Sequence, residues 1–155
     1  MTDARFEDGR EAPLNLGALD TEDLKVIASL TQDAVFPVTE MKWDRPAKRF
    51  GLLLNRFRWE EGPARAVSPE RVQSVLAFDM VTAVASSGID RGDKDLILSI
   101  LDISFEAGES PSGDILLTLA GDGAIRLKVE AIEATLRDVT KPYNAPSGKT
   151  PKHPD

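Results

Sequence analysis

The chain has 155 residues, of which 41% are hydrophobic and 29% charged, with a formal charge of −7. That length and balance suit one folded domain and exclude a disordered or fibrous chain. The acidic total weighs against duplex DNA as a partner, because a DNA-binding face must be net basic.

Further classes fall to residue counts. There is no cysteine, so disulfides, thiolate chemistry and Cys-based metal sites are excluded. The single histidine, His153, lies in Lys-Thr-Pro-Lys-His-Pro-Asp near the C-terminus, which sets His-based triads and metal sites aside. No metal site or cofactor is expected. The first residues carry no apolar signal-peptide core, and apolar runs such as Leu96 to Leu101 are strand-sized, so a cytoplasmic protein without membrane contact is expected.

Residues 1–18 are polar and punctuated by Gly9, Pro13 and Gly17, and read as a flexible lead-in. Asp20 then has the place of a helix N-cap, with Asp23 three residues on. Leu24, Ile27, Ala28 and Thr31 share one stripe, which predicts a short amphipathic helix from about Thr21 to Leu30. Ala34 to Val38 and Met41 to Trp43 read as extended.

A turn over Asp44 to Lys48 leads to a strand from Arg49 to Trp59. Phe50, Leu52 and Leu54 define one face, and Leu53, Phe57 and Trp59 the other. Arg71 to Ser86 is a second long extended segment. Its apolar parity passes from Leu76, Phe78 and Met80 to Val81, Ala83 and Ala85, which predicts a bulge or bend near Met80. A surface loop over Ser86 to Asp95 precedes a strand from Leu96 to Phe105 and a turn from Gly108 to Gly113.

Gly113 to Val129 is the clearest element. Ile115, Leu117 and Leu119 alternate before Gly121-Asp122-Gly123, and Ile125, Leu127 and Val129 alternate after it. Such a pattern predicts an antiparallel hairpin with one wet face. Glu130 to Val139 fits either a bulged strand or a helical stripe; the continuous period of two favours the strand. Four prolines mark residues 141–155 as a tail.

The predicted class is α+β: a predominantly antiparallel, curled or barrel-like sheet of about six to seven strands with one short N-terminal helix, in a single domain over residues 19–140.

Charge is unevenly spread. Lys42 to Arg71 holds eight bases against four acids in an otherwise acidic chain, and it carries both tryptophans. Trp43, Arg49, Arg56, Arg58 and Trp59 are therefore the candidate binding residues. Aromatics interleaved with arginines can stack bases and hold phosphates, so single-stranded RNA is one expected partner. An acidic protein, or self-association, would use the same patch. On the alternative that Phe57 and Trp59 are core, Arg56 and Arg58 are their solvated neighbours.

Asp79 and Asp102 lie inside apolar strands. Facing one cleft they could form an acid/base pair, the basis of a carboxylate or metal-assisted enzyme. Edge or outward positions, or pairing with an arginine such as Arg56, account for them more simply. Asp90-Arg91-Gly92-Asp93-Lys94-Asp95 lacks the register of a calcium loop, and its cations would oppose a metal, so it reads as a solvated turn. Phosphate-loop and nucleophile-elbow motifs are absent from the sequence.

The order of segments resembles one known family. Leu24 through Gln32-Asp33-Ala34-Val35, the Leu-Asn-Arg-Phe-Arg-Trp of the Arg49 to Trp59 strand, Ser87-Gly88-Ile89-Asp90, and Ile-Arg-Leu-Lys-Val-Glu-Ala-Ile-Glu-Ala within Gly123 to Asp138 are similar to the bacterial family catalogued as domain of unknown function 2948. The resemblance covers roughly Leu19 to Pro154. It implies a small, stand-alone bacterial protein and no particular reaction, cofactor or ligand. The leading expectation is a binding or interaction module rather than an enzyme.

Overall fold

The computed structural model describes residues 13–58, 70–140 and 143–144. Helix α1 spans Thr21–Leu30. Asp20, in extended conformation, accepts a hydrogen bond from the Asp23 backbone N–H at 2.8 Å, satisfying a donor that has no partner within the helix. Leu24, Ile27 and Ala28 form its buried stripe, against β1 (Asn15–Ala18) and β7 (Ile97–Ala107). At its end, the Thr31 backbone N–H and hydroxyl both donate to the Ile27 carbonyl, and Asp33 adopts the left-handed conformation that turns the chain out.

The other strands are β2 (Val35–Pro37), β3 (Met41–Asp44), β4 (Arg49–Phe57), β5 (Glu70–Phe78), β6 (Val81–Ser87), β8 (Gly113–Leu119), β9 (Ala124–Val129), β10 (Ala134–Asp138) and β11 (Tyr143–Asn144). Every pairing is antiparallel. The main path runs β1-β10-β5-β4-β2-β7-β8-β9-β6, with β3 on β4 and β11 on β5.

Narrow β2 joins two half-sheets. It pairs with β4 through Val35 and Asn55, and with β7 along Val35–Pro37. The halves also share strands end to end. β5 runs into β6 through Asp79 and Met80, while β9 runs into β10 through residues 130–133. Phe78 pairs with Ala134 on one side of this junction and Val81 with Val129 on the other. Asp79 N–H to Glu133 and Glu130 N–H to Met80 bonds bridge the corner itself. One long ribbon therefore bends between the halves, with Met80 at a positive φ of 61°. A single core fills the space between, including Phe36, Phe50, Leu52, Leu76, Phe78, Ile100, Ile115, Leu117, Leu127 and Leu136.

The α+β class, the antiparallel sheet and, among the described residues, the one α-helix stand. The strand number is corrected from six or seven to eleven among the described residues, whose hydrogen-bonded path is not closed. The difference lies in β1 and β11, which fall in the expected lead-in and tail and have four and two residues, too few to display a period, and in Arg71 to Ser86, which holds two strands, β5 and β6. The lead-in is corrected as well. Asn15–Ala18 is a strand paired with β10, so the ordered domain begins before residue 19; residues 1–12 lie outside the described residues. Tyr143–Asn144 of the expected tail pairs with β5, and the remainder of that tail lies outside them too.

The bend near Met80 is present, but its parity differs from expectation. Val81 is buried and a bulge follows, after which Val84 is half-buried while Ala83 and Ala85 are exposed. Glu130 to Val139 resolves as a corner followed by strand β10.

Candidate binding groove

Of the expected binding residues, the four that are described, Trp43, Arg49, Arg56 and Arg58, do not form one surface. Along β4, positions 50, 52, 54, 56 and 58 all point inward, so Arg56 continues the face of Leu52 and Leu54. Arg56 is 0% exposed and Arg58 only 6%, which corrects the reading of both as solvated. A charge at such a site needs a hydrogen-bonded counter-charge. Arg56 Nη2 donates to Asp138 Oδ1 at 3.0 Å and Oδ2 at 3.3 Å, and Nε donates to Ser74 Oγ at 3.1 Å. Ser74 in turn donates to Asp138 Oδ1 at 2.7 Å. Asp138 Oδ2 also accepts the Leu14 backbone N–H at 2.9 Å, tying β1 to the same group. The pairing of Arg56 is thus with Asp138, not with Asp79 or Asp102.

Nearby groups continue this internal network. Arg58 Nη1 meets Glu70 Oε1 at 2.7 Å. The Arg71 guanidinium sits 3.8 Å over the Phe57 ring, a cation–π contact, and donates to the Asn55 side-chain oxygen. Phe57 is itself buried. These side chains hold the end of the β4–β5 pair together.

Arg49 is exposed, and its Nε donates to Asp79 Oδ1 at 2.7 Å. The hydrogen bond and the charge of Asp79 raise the Arg49 pKa. Asp102 lies exposed on β7, opposite Thr118 of β8, whereas Asp79 ends β5 in the other half-sheet. The two carboxylates are not brought together. Among the described residues, no cluster of three or more His, Asp or Glu could hold a metal ion. Trp59 lies outside the described residues.

Trp43 has a different setting. It stands on β3 opposite Phe50 of β4, half-buried against the core. With Val38, Met41 and Phe50 it forms the apolar part of a groove of about 700 Å³. The facing wall is β6, through Thr82, Ala83, Val84 and Ser86. Arg45, Arg91 and Lys94 are the groove's charged lining residues, and no acid is among them. None of these three cations makes an ion pair among the described residues.

Arg45 comes from the β3–β4 turn; the other two come from the loop before β7. That loop holds itself with its acids. Asp90 Oδ1 accepts the Gly92 N–H and Asp93 Oδ1 accepts the Asp95 N–H, both at 3.1 Å. These are local side-chain turns of the kind Asp favours. Arg91 and Lys94 are left to line the groove. Both remain exposed turn residues, as the sequence predicts; their place in the groove lining has no local sequence signal beyond the Asp-x-Gly and Asp-x-Asp spacing that shapes the turns.

An antiparallel sheet curled around one core, with an open groove at the end of its path, defines a small α+β scaffold. The chain belongs to the family described as protein of unknown function (DUF2948), whose model matches residues 14–153. No curated protein and no solved structure matches it. Among the described residues, no helix is long and apolar enough to cross a membrane.

Proposed function

We propose that the chain is a non-catalytic binding module whose groove between β3 and β6 takes an acidic partner. One observation carries this reading: three cations without ion-pair partners among the described residues line a groove floored by Trp43, in a protein of net charge −7. Cations gathered in a concave site raise the local concentration of an anionic ligand and orient it. The half-buried aromatic floor supplies an anchor of the type that dominates binding energy. A bacterial, cytoplasmic setting belongs to the same proposal.

An enzymatic reading draws less support. Asp79 is engaged by Arg49, and Asp102 stands apart on β7. The RNA reading loses the phosphate contacts expected of Arg56 and Arg58, since both are buried.

The test is capture from native lysate by tagged protein, with and without ribonuclease, beside the variant Arg91→Glu/Lys94→Glu. Ribonuclease-resistant partners that the variant loses support the proposal. Recovery of RNA, lost on ribonuclease treatment, would favour the nucleic-acid reading instead. Turnover of a small substrate that disappears in Asp79→Asn or Asp102→Asn would overturn a non-catalytic role.

A further inference from the structure

We infer that the groove's occupant is an extended acidic peptide of another protein, added as a new strand on the free edge of β6. This rests on the binding reading above and specifies how the groove is filled.

The first ground is topological. β6 ends the sheet path and, among the described residues, pairs only with β9. β3 likewise pairs only with β4. Residues of both strands line the same groove, so two strands that each pair on one side only among the described residues border one space. Among the described residues, apart from the Val81 N–H, which donates to the Lys48 carbonyl, no backbone–backbone bond of β6 other than its ladder with β9 is formed.

The second ground is composition. A strand edge presents a row of unused N–H and C=O groups, and proteins usually blunt it with lysine, proline or inward charge. Val81 to Ser87 reads Val-Thr-Ala-Val-Ala-Ser-Ser: seven residues without a charge or a proline, in a chain that is 29% charged. Its side chains from Thr82 onward are small, and all but Val84 are exposed, leaving the backbone approachable.

The third ground is charge. Arg45, Arg91 and Lys94 need a negative counterpart. A second copy's β6 carries no acid, so edge-to-edge pairing of two copies would leave these cations unmatched. An added strand lies roughly 4.8 Å from its neighbour and sends alternate side chains to opposite faces. One set would meet Trp43, Met41 and Val38; the other would carry the acids. Alternating acidic and apolar residues are the matching chemistry, with main-chain bonds supplying affinity.

The test uses the full chain and an alternating Glu-Val peptide, measured by calorimetry and by backbone amide exchange. The controls are the same peptide N-methylated at every second residue and an alternating Lys-Val peptide. The Glu-Val peptide should bind and slow exchange at amides within Thr82 to Ser87. N-methylation should weaken it by roughly tenfold or more, and Lys-Val should not bind. Arg91→Glu/Lys94→Glu, exposed loop changes that should leave the circular dichroism unaltered, should weaken the Glu-Val peptide by a similar factor. Equal binding of the methylated peptide, still sensitive to charge reversal, would overturn strand addition while leaving the acidic groove intact. Failure of every peptide, together with lysate partners indifferent to charge reversal, would overturn both. A concentration-dependent dimer protecting the same amides would assign the edge to a second copy and overturn the peptide.

Discussion

Arg56 and Asp138 meet at 3.0 Å inside the first half-sheet, although their strands, β4 and β10, do not pair with each other. Ser74 of β5, the strand between them, bonds to both. The pair is thus a cross-brace over three strands, and it also holds Leu14, the residue that leads into β1.

Removing one member of such a pair strands the other in a dry site. Arg56→Met should lower unfolding free energy by roughly 3–5 kcal/mol in urea titrations. Ser74→Ala, which deletes a neutral hydroxyl, should cost about 1–3 kcal/mol. An Arg56→Met protein of wild-type stability would show that the brace holds nothing.

The cap of α1 gives a smaller, local effect. Asp20→Ala frees the Asp23 N–H and should cost about 1 kcal/mol, seen as a melting temperature a few degrees lower. Asp20→Asn should recover most of the loss, because an amide oxygen still accepts the bond.

Gly88 occupies a left-handed conformation, φ +69°, and a Cβ there would lie 2.7 Å from the Asp122 carbonyl oxygen of the β8–β9 turn. Gly88→Ala should therefore destabilise by roughly 1–3 kcal/mol through backbone strain and clash together. Gly92→Ala, at ordinary φ with only the Asp90 side chain at 3.4 Å, should be nearly neutral by the same melting assay.

On the outer face of the second half-sheet, Arg126 of β9 reaches Asp114 of β8 and Glu106 of β7, each at 2.8 Å. Hydrogen bonds to Glu106 and Asp114 raise its pKa. A raised guanidinium pKa gives stabilisation fully present below the unfolded value and lost only as pH rises through the folded one. Both lie in strong alkali, so the stability difference between wild type and Arg126→Ala should not vary through its own titration between neutral and mildly alkaline pH. It should shrink with added salt, since the group is exposed. Melting curves across pH and sodium chloride check both statements.

These elements differ in how far the sequence exposed them. The β8–β9 hairpin was readable because Gly121 and Asp122 take the positive φ values its turn requires, and the strands on either side alternate in the sequence with Leu116 the one apolar side chain on the outward face of β8. Helix α1 announced itself through Asp20 and its stripe. Arg56 was misread because β4 is apolar on both faces: Leu53 and Phe57 made either parity plausible as the inner one. Its carboxylate lies 82 positions away, beyond any local pattern. Trp43 kept its place, but its basic companions came from a turn and a distant loop rather than from the strand beside it.

The bent ribbon has a consequence for the order in which the protein can be made. β6 through β9 are contiguous in the chain, so the second half-sheet can assemble as soon as it is synthesised. The first half-sheet must wait. β10 slots between β1 and β5, and β1 has no other strand partner among the described residues. Until residue 138 leaves the ribosome, Arg56 lacks this counter-charge, and β5 presents an open edge to its surroundings. Maturation of the nascent chain is therefore gated by β10, and truncation before Asp138 should release a chain with one finished half and one that cannot be completed.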